Sequence, residues 1–366
     1  MSETNAEKGN VREFPAELVR RIAKAELHVH LEGTVDGATL FELCEKHGVS
    51  PPAPSVAEVE RWFCFDDFPQ FLERFTFVAK LFQGADDFAL VTKRYLQRAL
   101  EMGIVHVEFY VSTVRHFEVG GMRWSEVSDG IAAGAAAVPG ACPSYKATAE
   151  WARAEGHISW ALIPSMTPQL GFEENKRSMV EVVTAPGPHV VAVGMAGAVE
   201  PWWTDDYGSV FDMVRAAGFK AVSHAGERGS AKEVRHAVER FGVVRLQHGI
   251  GAMEDDDVLQ LVKSRGIACD VCPGSNIALK SVPSPAEHPL GHMLEAGLTV
   301  TLASDDPPMF QTNVLEEYRR AWEWCAVGVD GILSLAENSL RHSFAPQQCI
   351  DVWCSSLADS ERYNVH

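Results

Sequence analysis

The chain has 366 residues, is 46% hydrophobic and carries a formal net charge of −18. That length allows one large or two ordinary domains, with ample apolar material for a core. The acidic balance argues against a nucleic-acid partner, whose phosphates need clustered Lys and Arg, and no apolar run is long enough for a transmembrane helix.

The N-terminus, MSETNAEKGN, is polar and lacks the apolar segment of a signal peptide. Residues 1–12 are expected to be a disordered, dispensable tail. The eight cysteines are scattered, which reads as reduced thiols of a cytoplasmic protein rather than a disulfide framework. Strand candidates then recur at 25–30, 104–110, 158–163, 189–195, 219–224, 243–247, 267–271 and 298–303. Several are near-continuous apolar runs, as in strands of a parallel sheet buried on both faces. Helical periodicity marks 87–102, 208–217 and 253–265. Eight βα units predict a (β/α)₈ barrel in one domain over 1–366, with a doubly wound open sheet as the rival. The stretch 34–100 is too long for one connecting helix and is rich in Phe and Trp. It reads as a helical insertion after strand 1, either an extra packed layer or a lid over the barrel mouth.

The chemistry lies at strand ends. His28 and His30 alternate with Val29, so both imidazoles point to one face of a strand. His224 and Asp305 also end strands, and three imidazoles with a carboxylate make a zinc set with room for water. Such a metal lowers the pKa of its water toward ~7. Glu227 follows His224 across a tight Ala-Gly turn and brings an acid close to that metal. Adjacent Asp305 and Asp306 cannot both face one side of a strand, so one is free to turn toward a substrate. Cys269-x-x-Cys272 lacks a second pair and reads as buried thiols rather than half a metal or redox site. Asp255-Asp256-Asp257 reads as a helix start, and His288 and His292 as structural.

The segments LHVHLEG (27–33), SHAGE (223–227), LQHG (246–249), VCPGSNIAL (271–279) and SDDPPMF (304–310) together resemble the adenosine deaminase family of zinc aminohydrolases. Weaker echoes are HPLGHMLEAGL (288–298), EEYRRAW (316–322) and NSLRHSF (338–344), so the likeness spans nearly the whole chain in order. The resemblance implies one Zn²⁺ held by His28, His30, His224 and Asp305. Glu227 matches the acid that protonates purine N1 as hydroxide adds to C6. His248 matches the residue that orients and deprotonates the attacking water, Asp306 the acceptor facing N7, and Gly197 the glycine whose backbone N–H faces N3. Glu32 and Ser112 stand where the family contacts ribose or fixes nearby structure.

Several substrate-side positions depart from the family pattern. Gly194-Met195-Ala196-Gly197-Ala198-Val199 stands where the family commonly reads Asp-Leu-Ala-Gly-Asp-Glu. Tyr110 and a position within Pro164-Ser165-Met166 stand where it has Arg, and Gln247 where it has Gly. Acids and arginines lost together suggest a dismantled charge network and a rebuilt pocket, with Trp202 and Trp203 adding apolar surface. The expectation drawn from this is hydrolytic deamination of a 6-aminopurine nucleoside, adenosine or a substituted adenosine without added phosphate. Alternatives are aminodeoxyfutalosine, free adenine, another amine or amide hydrolysed by the same hydroxide, or an inactive binding or signalling member of the fold. The oligomeric state is not legible.

Overall fold

The computed structural model describes residues 13–142, 147–197 and 205–358. The expected tail 1–12 lies outside them, as do Ala198, Val199, Trp202 and Trp203. Eight parallel strands pair in sequence order: β1 (Lys24–His30), β2 (Ile104–Ser112), β3 (Ser159–Met166), β4 (Ala192–Met195), β5 (Lys220–Ala225), β6 (Arg245–His248), β7 (Ala268–Val271) and β8 (Thr299–Leu302). The two ends of the sheet meet. His30 N–H donates to Asp305 O at 2.9 Å, and Asp305 N–H donates to His28 O at 3.1 Å. The architecture is therefore the (β/α)₈ barrel, and the open sheet is excluded. Each strand lies at its expected window with ends shifted by a few residues, because the continuous apolar runs mark strands buried on both faces. All eight residues of β3 are buried.

Alternation within each strand sends one face to the surrounding helices and the other into the barrel. The inward face is unusually polar. Arg245 Nε lies 2.6 Å from Asp270 Oδ2, and the same guanidinium bonds Glu108. Gln247 Nε2 donates to Asp270 Oδ2 at 3.2 Å, and Thr301 Oγ1 to Asp270 Oδ1 at 2.7 Å. Arg245 also donates to the carbonyls of His342 and Leu27. A buried cation is tolerable only with such partners. This floor places the mouth of the barrel above it, at the carboxyl ends of the strands.

The segment 34–100 folds into four helices, Gly37–His47, Val56–Trp62, Phe68–Ala79 and Ala85–Glu101. Asp36, Ser55 and Asp67 cap the first three by accepting backbone N–H groups. The fourth packs on β2 and on the helix Trp124–Ala136, as an ordinary member of the outer layer. The extra material is thus the first three helices, and Phe68–Ala79 lies over the mouth. Asp255 caps the helix Asp256–Ser264, as the acidic run suggested. No helix among the described residues is long and apolar enough to cross a membrane.

Candidate active site

The inward faces of β1 and β5 bring His28, His30 and His224 to one point, and Asp305 joins them from just beyond β8. His28 Nε2 and His224 Nε2 are 3.1 Å apart, and His30 Nε2 is 3.3 Å from His224 Nε2. Asp305 Oδ1 stands 3.3 Å from Nε2 of both His28 and His30. Four ligands at 2.0–2.1 Å around a tetrahedral ion would be spaced by ~3.3 Å. The second ring nitrogens are engaged elsewhere. His224 Nδ1 donates to Met195 O at 3.0 Å, and His28 Nδ1 lies 3.3 Å from Asp270 O. Their Nε2 lone pairs therefore face one another, an arrangement that needs a cation between them. The local field agrees. Burial opposes charge on His30, yet the Asp306 and Asp305 carboxylates outweigh it and push that ring up to about 9. The residues present fit a single metal ion.

Two residues reach the site through strained backbone. His248 has φ 62° and Asp305 φ 63°, a left-handed region that non-glycine residues rarely occupy. On regular β6, His248 would share the outward face of Leu246. The left-handed turn swings it into the mouth instead, where Nε2 lies 3.9 Å from Glu227 Oε2 and 3.8 Å from Asp305 Oδ2. The same turn at Asp305 separates it from Asp306. Asp305 joins the three histidines while Asp306 turns to another part of the cavity wall. Gly33 makes this possible, because a Cβ there would stand 1.9 Å from Asp306 Oδ1.

Electrostatics divide the acids by role. Burial, with the Asp305 carboxylate beside it, pushes the Glu227 carboxyl up to about 8. Burial and Asp305 likewise hold Asp306 well above the usual carboxylate range. Burial alone would raise Asp305 too, but His28, His30 and His248 hold it well below that range. Burial and His28 push His248 down to about 3, so that ring is neutral. Near neutral pH the Glu227 carboxyl thus keeps its proton and the His248 ring is neutral, while Asp305 is held as a carboxylate.

Other expected residues separate. Glu32 is buried and accepts from Ser112 N–H at 2.9 Å and from His116 Nε2 at 2.8 Å. It ties the turn after β1 to the end of β2 and stands behind the cavity wall. Ser112 and Gly197 line the cavity. Cys269 and Cys272 are buried. Cys272 Sγ approaches His28 Nδ1 at 3.3 Å, but burial and Asp305 keep its thiol far from ionising. It packs behind His28, and its Sγ also lies within reach of His248 and Asp305 as a second group of possible metal ligands. His292 is exposed beside Glu295.

Sequence reasoning passed over several participants. Asn276 links His248 Nδ1 at 3.2 Å to His288 Nε2 at 3.2 Å, so the structural reading of His288 acquires a purpose. Ser275 Oγ donates to Asp305 Oδ2 at 2.7 Å. Both sat inside VCPGSNIAL, a motif that signalled them without assigning them roles. Phe68, Phe71, Leu72 and Phe75 form the apolar roof, and Gln169 completes the far wall. The aromatic run signalled the roof, while nothing marked Gln169. The cavity is about 80 Å³ and partly open to solvent, room for a handful of ordered waters.

The family model described as adenosine deaminase matches residues 23–357. The adenine deaminase of Rhizobium meliloti (strain 1021) is 30% identical over 330 residues, covering 90% of this chain and 96% of the relative. That of Sinorhizobium medicae (strain WSM419) is 32% identical over 304 residues, 83% of this chain and 88% of the relative. The crystal structure of the adenine deaminase from Arthrobacter aurescens superposes with a TM-score of 0.83 at 27% identity, covering 93% of this chain and 99% of that one. These relatives carry the name of the free base. The expectation of a nucleoside, as substrate and as small-molecule partner, is corrected on that finding.

Proposed function

This chain belongs to the adenosine deaminase family, a hydrolase with a metal-binding catalytic site, and on that premise we propose that it deaminates adenine to hypoxanthine and ammonia with one zinc ion. The observation that carries the reading is the pairing of the four-atom cluster with Glu227, a carboxyl that keeps its proton at neutral pH. The names of the relatives support the free base.

His28, His30, His224 and Asp305 would hold the zinc, which when bound supplies the activated water that adds to C6. The other steps belong to side chains. Glu227 donates its proton to N1, which draws electron density from C6 and makes it electrophilic. His248, neutral and turned toward Glu227 and Asp305, accepts the proton released as water adds. Asp306 lines the cavity toward N7, and burial with the neighbouring Asp305 favours the protonated form that would donate to the lone pair on N7 of 9H-adenine. Gly197 N–H serves N3. Protonation of the amino group then releases ammonia and leaves the 6-oxo base, so water and adenine balance hypoxanthine and ammonia. The helix Phe68–Ala79 excludes bulk water with its phenylalanines, which strengthens each of these contacts. The test is ammonia release from adenine and adenosine by metal-loaded protein, with bound metal measured alongside. Adenine should be consumed and adenosine poorly or not at all. Faster release from adenosine would refute the reading.

A further inference from the structure

Gln169 is a polar side chain on the far wall of the cavity that the chemistry above does not use. Its Oε1 is buried and has no hydrogen-bond partner among the described residues. The polar neighbours are already committed. Ser112 Oγ and Thr167 Oγ1 bond each other at 2.7 Å, and Ser165 Oγ donates to Met166 O at 3.3 Å. A buried acceptor left open in this way costs free energy unless a ligand supplies the donor.

The backbone that carries Gln169 is fixed. Asn175, fully buried, accepts from Thr167 N–H at 2.6 Å and donates to Thr167 O at 2.9 Å and Gly171 O at 2.6 Å. Leu170 N–H closes the turn onto Thr167 O at 2.9 Å. Gln169 is therefore presented by a clamped turn rather than a loose loop. Across from it, Ala196 N–H donates to Met166 O at 2.9 Å and holds the end of β4 alongside. This brings Gln169 close to Gly197. A Cβ on Gly197 would meet Gln169 Oε1 at 2.2 Å, so the glycine leaves the carboxamide its place.

The orientation of the purine turns this proximity into a specificity argument. With Glu227 at N1, the metal cluster at C6 and Asp306 at N7, the opposite edge of the base faces Gly197. That edge carries N3 and N9, both bonded to C4. In free 9H-adenine N3 is an acceptor and N9–H a donor. In a nucleoside N9 has no hydrogen and carries the sugar. We propose that Gln169 is the specificity-determining residue for the free base, its Oε1 accepting the N9–H of adenine. This rests on the free-base reading and on the N3 contact at Gly197. A 9-substituted purine loses twice. It leaves Oε1 unpaired, and it drives its substituent into the clamped turn. Sites built around a hydrogen bond reject analogues lacking the donor more strongly than apolar pockets reject extra bulk.

The test compares adenine with 9-methyladenine, which keeps the reacting half of the base. Wild type should prefer adenine by at least about 10–100-fold in kcat/KM. Gln169→Met, similar in size but without the acceptor, should lower the adenine value and narrow that preference about tenfold or more. Gln169→Glu, which keeps an acceptor, should retain the preference. Calorimetric binding of hypoxanthine and 9-methylhypoxanthine to the metal-loaded protein gives the same comparison without turnover. An unchanged preference in Gln169→Met, by either measure, would overturn the role of Gln169 while leaving adenine deamination intact. Loss of the preference in Gln169→Glu would overturn it as well. A wild-type protein that releases no ammonia from adenine but still binds hypoxanthine over its 9-methyl derivative would refute the proposed reaction and uphold the contact.

Discussion

Replacing Glu227 by Gln separates the catalytic use of its proton from the stability that holding it costs. In the folded chain the carboxyl titrates at about 8, against 4.5 for an ordinary Glu. Between those values the unfolded chain has lost this proton and the folded chain has not. The folded state binds more protons, so stability falls as pH rises through that window and levels off above about 8. Gln cannot ionise in either state and escapes the penalty. At pH ~7 the penalty spans about 2.5 pH units, a ceiling of about 3 kcal/mol at 1.36 kcal/mol per unit. One fifth of the side chain is exposed, and solvent screening reduces the effect to about 1–2 kcal/mol.

The assay is thermal or denaturant unfolding of chelated wild type and Glu227→Gln at several pH values from about 5 to 8.5. The variant should gain on wild type as pH rises, reaching a few degrees in Tm. Metal-loaded protein should show a smaller gain, because the bound cation offsets the Asp305 charge. The same variant should lose ~10²–10⁴-fold in kcat, since an amide hydrogen-bonds N1 but gives it no proton. Wild-type kcat should decline toward high pH as Glu227 loses its proton, at or below the pH at which the metal-free carboxyl titrates. A stability difference that stays constant with pH would refute the claim that Glu227 is buried in its protonated form. A variant within a few-fold of wild type in kcat would move the acid role elsewhere.

His224→Ala removes the ligand closest to His28 and should abolish both stoichiometric metal and ammonia release. Full metal content measured by elemental analysis would exclude the four-ligand set. Asn276→Leu cuts the link from His288 to His248 and should lower kcat by ~10-fold with little change in KM, because the general base loses its orientation. An equal effect on both constants would place Asn276 in substrate binding. Arg245→Met leaves Glu108 and Asp270 buried without their cation and should destabilise by about 3–5 kcal/mol. Adding Glu108→Gln and Asp270→Asn should restore much of it, and failure of that rescue in denaturant unfolding would show that packing of Arg245 dominates its charge.

How much was legible before the coordinates depends on the kind of signal. The strands were readable because parallel strands buried on both faces leave long apolar runs, and the His28, His30, His224 and Asp305 cluster because each member sits at the end of such a run. The register of His28 and His30 followed from alternation alone. The inward turn of His248 did not, since alternation assigns it to the outside and only a left-handed φ reverses that. Gln169 carried no signal, because a lone polar residue in a turn is what any turn contains. The final helix of 34–100 was grouped with the insertion although it is an ordinary outer-layer helix. Composition marks a helix but not the layer it joins.

The misreading of the substrate has a structural origin. Lost acids and arginines near β2 to β4 suggested a dismantled charge network and a pocket rebuilt around adenosine or a substituted adenosine. Two of those positions, Tyr110 and Gly194, have a different account. Tyr110 occupies the barrel interior directly beneath the site, with ring centroids 5.5 Å from His28 and His30 and 5.8 Å from His224. Gly194 is its complement, because a Cβ there would come within 2.9 Å of the tyrosine ring. An acid at 194 would collide with that ring, so loss of the side chain on β4 and gain of the ring on β2 form one coupled change. Positive charge is supplied instead from β6 by Arg245, paired with Glu108 and Asp270 on the floor. These two departures therefore fill space under the cluster rather than clear it. What remains above the floor and below the phenylalanine roof suits a flat base, and discrimination against a sugar then falls to the wall that carries Gly197 and Gln169.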